Sequence, residues 1–94
     1  MSSFIHIQSI AELPIPTSFS LFWNGSSVIM TWGVDPLLST EIYRDGTFYL
    51  LMSVGVTNYF DSAVISGNIY QYKLRSTNGI LYSQFTTEYS ILIP

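Results

Sequence analysis

NYFDSAVISGNIYQYKLRSTN, residues 58–78, decides the architecture. It holds a short strand running to Asp61, a spaced aliphatic at Val64, a glycine turn at Gly67, and then Tyr70, Tyr72 and Leu74 at every second position. Alternate residues of a strand point to one face. The stretch therefore places a single apolar row on one face of a strand, just after a tight corner. Such a row needs a second layer to cover it. The pattern predicts a small two-sheet sandwich and specifies no activity.

The same style of signal extends in both directions. Short apolar runs rich in β-branched and aromatic residues are separated by turn signals, the spacing of an all-β sandwich. Residues 17–23 read as the first core strand, with Phe19, Leu21 and Trp23 in phase. Asn24-Gly25 reads as a hairpin turn. Val28, Met30 and Trp32 line the second strand, and a loop with Asp35-Pro36 follows. Residues 40–44 form the third strand, Asp45-Gly46 turns the chain, and residues 47–54 return with apolar residues on both faces. Residues 57–61 and 69–77 are the next strands, Asn78-Gly79 is another turn, and a last strand lies within residues 86–93. The expected fold is all-β, a seven-stranded antiparallel sandwich over residues 14–94. Residues 1–13 are expected to form an N-terminal arm, set off by Pro14 and Pro16.

Composition narrows the function. Ninety-four residues suit one domain, and Met1 suggests a complete product. Apolar residues make up 48% and charged residues 10%, against about 25% charged in a typical soluble domain. A sandwich this small cannot bury so many apolar side chains, so either its surface is unusually apolar or part of it is covered by other chains. The net charge of −3 gives no basic excess for nucleic acid. No apolar run is long enough for a membrane-spanning helix. The N-terminus lacks a signal-peptide pattern. With no cysteine, disulfides and thiolate metal sites are excluded.

No catalytic constellation is present. His6 is the single histidine, and zinc needs several converging ligands. The carboxylates Glu12, Asp35, Glu41, Asp45, Asp61 and Glu88 are scattered and several sit beside turns. No nucleophile elbow or phosphate loop occurs. The expectation is a protein that is not an enzyme and uses no cofactor or metal. Asn24-Gly25-Ser26 is formally a glycosylation sequon but reads as a hairpin. Lys73 and Arg75 point away from Tyr72 and Leu74, and a cross-strand Glu41–Lys73 pair is expected on a solvated face.

These residues resemble a fibronectin type III domain across residues 14–94. The resemblance is carried by Trp32 at the end of the second strand, by Ile42-Tyr43-Arg44-Asp45-Gly46, and by Tyr59, Asp61, Val64 and Gly67 at the corner. Tyr70 stands where such domains place a tyrosine whose hydroxyl bonds back to the corner backbone. Tyr72, Leu74 and Ser76 continue the row. The chain departs at Ser76, where a small apolar residue is common, after Gly79, where a proline-rich run is missing, and in residues 1–13. The resemblance implies binding or spacer roles and no catalysis.

Apolar residues at outward phases point to interfaces: Ile29, Tyr43, Tyr49, Leu51 and Leu92, joined by Phe60, Ile69, Ile80, Leu81 and Tyr82. Phe4, Ile5, Ile7 and Ile10 supply anchors by which the arm adds to a neighbour's sheet edge. The expected partner-binding residues are thus Phe4, Ile5, Ile7, Ile10, Tyr43, Tyr49, Leu51, Leu81 and Tyr82, and the expected partners are other protein subunits. The expected setting is a virion or extracellular surface assembly reached without a signal peptide: a capsid decoration, fibre-base or tail component. The alternative is a glycan- or cell-surface-binding module in which Tyr43, Tyr49, Tyr82 and Trp23 stack on sugar rings.

Overall fold

A computed structural model describes residues 12–94. Seven strands follow one another: β1 (Thr17–Trp23), β2 (Val28–Gly33), β3 (Ser39–Arg44), β4 (Thr47–Met52), β5 (Asn58–Asp61), β6 (Ile69–Thr77) and β7 (Tyr89–Leu92). They form a three-stranded sheet in the order β1-β2-β5 and a four-stranded sheet in the order β4-β3-β6-β7. All pairings are antiparallel. No helix among the described residues is long and apolar enough to cross a membrane.

The core lies between the sheets. Val28, Met30 and Trp32 of β2 face Ile42 of β3 and Tyr72 and Leu74 of β6, and all are buried. Trp32 needs a partner for its ring N–H, and finds Thr40 Oγ1 at 3.1 Å. Tyr70 closes the corner: its hydroxyl accepts the Ile65 N–H at 2.9 Å. Ser76, also buried, donates its hydroxyl to the Pro14 carbonyl at 2.6 Å, pinning the chain ahead of β1 to the end of β6.

The turns behave as their residues dictate, with one difference. Asp45 and Gly46 both adopt positive φ (54° and 81°), as a two-residue hairpin requires. The β1–β2 link is instead a longer loop in which only Gly25 is left-handed. Asn24 uses its side chain, accepting the Ser26 and Ser27 N–H groups at 2.8 Å each.

The phase of β4 departs from simple alternation. Ile42 pairs with Leu50, but Tyr43 pairs with Phe48, so Tyr49 is an extra residue on β4. Such a bulge reverses which face each side chain meets. Phe48 turns outward, while Tyr49 turns into the sandwich with Leu50 and Met52. The expectation that Tyr49 points outward is therefore corrected. The Glu41–Lys73 pair is corrected too. Glu41 lies opposite Arg75, and Lys73 lies opposite Tyr43.

Candidate interaction surface

Asp61, at the end of β5, is fully buried. Arg44 Nη1 donates to its Oδ2 at 2.9 Å, the Tyr72 hydroxyl donates to Oδ2 at 2.7 Å, and the Tyr49 hydroxyl donates to Oδ1 at 2.8 Å. The Ala63 N–H also donates to Oδ1, at 3.1 Å. Four strands thus converge on one carboxylate. Burial, then the bond to Asp61 and its charge, pushes the Tyr49 hydroxyl up to about 12. The same causes raise Tyr72 further. Burial alone would lower Arg44, but the Asp61 charge, joined by Tyr49 and by hydrogen bonds to Asp61 and Tyr72, together outweighs it and the net shift is upward. Every oxygen of Asp61 is engaged by protein donors, so this carboxylate has none left for a reactant. The cluster joins the two sheets.

The outer face of the four-stranded sheet carries aromatic rings interleaved with cations. Tyr43 stacks edge-on against Phe48 and Phe85, with centroids 5.9 and 4.8 Å apart. Lys73 Nζ lies 4.3 Å from the Phe85 centroid, and the Arg75 guanidinium lies 4.1 Å from that of Tyr82. Arg75 also donates to Glu41 Oε1 at 2.7 Å and to the Tyr43 hydroxyl at 3.2 Å. Burial lowers the Arg75 guanidinium, but the Glu41 bond and charge, with Tyr43 and Tyr82, together offset it, so its net shift is upward. These cations already cover one face of Phe85 and of Tyr82.

The outer face of the three-stranded sheet is simpler. Phe22 pairs with Ile29 and Ile29 with Phe60, giving one apolar row across all three strands. Phe22 is 63% exposed and Phe60 55% exposed. The row beside it is polar, formed by Ser20, Thr31 and Asn58, with the Ser20 and Thr31 hydroxyls 2.8 Å apart.

A groove runs along the seam where edge strand β1 meets edge strand β7 and the segment before it. It has three adjoining sections of about 240, 330 and 290 Å³. Ile15 is shared by the first two, and Phe19 and Tyr89 by the last two. The rings of Phe19 and Tyr89 meet at 5.5 Å and form part of its wall.

The residues expected to bind partners fall into separate places. Tyr43 and Leu81 are half-buried, while Leu51 and Tyr82 are exposed. Tyr49 faces inward, on the Asp61 cluster. Phe4, Ile5, Ile7 and Ile10 lie outside the described residues. Trp23, like Tyr49, packs on the core, so the four aromatics expected to stack together on sugar do not share a face. Phe22, Phe48 and Phe85 were not singled out by sequence. Phe22 was legible, since it alternates with Leu21; Phe85 stands in a segment without periodicity. Among the described residues no group of three or more His, Cys, Asp or Glu gathers to hold a metal ion.

No protein-family model matches the chain, and no curated protein sequence matches it. Among solved structures, the chain is similar to the Clostridium perfringens spore cortex lytic enzyme SleM, with a TM-score of 0.65 and 14% sequence identity. The match covers 81% of this chain and 27% of that one. At this identity the likeness concerns the fold alone.

Proposed function

We propose that this chain is a fibronectin type III-like, non-catalytic module that joins a larger protein assembly through its apolar surfaces and its N-terminal segment. The observation that carries the reading is the Phe22–Ile29–Phe60 row, in register across a whole sheet and open to solvent. Exposed apolar side chains scattered singly are ordinary; a contiguous row marks an interface. The fibronectin type III likeness is supported by the strand order and by the Tyr70 hydroxyl bonded back to Ile65. The setting named by this reading is a virion surface, as a capsid decoration, fibre-base or tail component, where repeated neighbours would cover such faces. The glycan-binding alternative is weaker, because Tyr49 and Trp23 turn inward and Arg75 covers one face of Tyr82.

The test is the mass of the native particle that contains the protein, measured for the wild-type chain and for Phe22→Ser/Phe60→Ser. The reading expects a large complex for wild type and release of the variant from it. A wild-type particle with the 10.6 kDa mass of one chain would contradict it.

A further inference from the structure

We propose that the seam groove of one copy receives residues 4–10 of a second copy; this rests on the assembly reading above and names its partner. The outer edges of β1 and β7 have no strand beside them among the described residues. An extended segment can add to such an edge, with backbone bonds giving affinity and side-chain pockets giving selectivity.

Three observations choose the occupant. First, the chain outside the described residues meets them at the mouth of the groove. Glu12 and Leu13 line its first section, and Ser76 holds the Pro14 carbonyl. Second, the dimensions agree. Residues 4–10 and the wall from Ile15 to Leu21 are seven residues each, about 23 Å when extended at roughly 3.3 Å per residue. Third, the chemistry agrees. Residues 1–11 contain no Asp, Glu, Lys or Arg and carry Phe4, Ile5, Ile7 and Ile10. The groove offers Ile15, Phe19 and Tyr89 among uncharged Ser18, Thr86 and Ser90.

A second copy is favoured over the chain's own segment because residues 12–21 are themselves part of the groove wall. To lie on that wall, residues 4–10 of the same chain would have to reverse immediately before Pro14. Proline biases the residue before it, Leu13, toward an extended backbone, which opposes such a reversal. Exchange between copies has no such constraint. It closes as a mutual swap or continues from copy to copy.

The full-length chain is followed by sedimentation velocity over a concentration series. Two variants accompany it: Ile5→Asp/Ile7→Asp in the segment, and Ile15→Asp/Tyr89→Arg in the groove, where both wild-type residues are exposed. Wild type should self-associate, and each variant should sediment as a monomer with an unchanged thermal melt. An equimolar mixture of the two should form a heterodimer, because one supplies a segment and the other a groove. A photo-crosslinker at position 7 in otherwise wild-type chains, mixed with isotope-labelled copies, should join different chains at the groove wall. A wild-type chain that stays monomeric at every concentration overturns the proposal, even if the native particle is large and the assembly reading stands. So does a mixture that fails to pair, or cross-linking confined to single chains.

Discussion

The sandwich has two seams, and they are closed differently. Where β4 meets β5, Asp61 draws in Arg44, Tyr49 and Tyr72 through charge-assisted bonds of 2.7–2.9 Å. Where β1 meets β7, a pair of tilted rings, Phe19 and Tyr89, spans a groove whose edge strands have no strand on their outer sides among the described residues. A buried charge stripped of water has to be fully paired, so the first seam is fixed and specific. The second keeps apolar side chains and backbone edges within reach of another chain. On the proposals above, stability belongs to the first seam and association to the second.

That division is broken most severely by Asp61→Ala. The substitution leaves Arg44 and two tyrosine hydroxyls without their shared acceptor. A loss of about 3–5 kcal/mol is expected, as for a buried pair deprived of one partner, read from urea unfolding. Alkaline pH attacks the same seam. Tyr49 ionises near 10 in the unfolded chain but is pushed up to about 12 when folded. Its contribution is therefore complete below pH 10 and is lost as pH rises through 12. Stability measured by denaturant at successive pH values should fall across that window, and Tyr49→Phe should make the fall shallower.

Smaller effects sharpen the contrast. Ser76→Ala removes the bond to the Pro14 carbonyl and should cost about 1 kcal/mol, with a larger change in association than in the melt, since the departure point of the N-terminal segment is released. Ile15→Asp lies on the open seam and should alter unfolding by less than about 0.5 kcal/mol. Its effect should appear in sedimentation. If Ile15→Asp destabilised the fold as much as Asp61→Ala, the two seams would not differ in role.

Uninterrupted alternation made much of this fold legible. β6 spans Ile69–Thr77 as read, because no bulge interrupts its period of two. The Tyr70 corner follows from the same phase. β4 was misread because Tyr49 is an inserted bulge residue, and nothing in the run of apolar residues 48–52 distinguishes an extra residue from a regular one. The partner of Glu41 was misassigned for a related reason: the pairing offset between β3 and β6 depends on a long connection, and sequence fixes no register across it. The Asp61 cluster was invisible because Arg44, Tyr49, Asp61 and Tyr72 come from four different strands. The groove was invisible because it exists only between sheets. Excess apolar composition announced that apolar side chains would remain exposed; only the fold shows where they lie.

Hydrogen exchange on the full-length chain, free and in its native assembly, tests the account most directly. Amides of β1 and of residues 82–90 should gain protection on assembly, while those around Asp61 and Ala63 stay equally slow in both states. Protection gained at the Asp61 seam, with β1 unchanged, would contradict it.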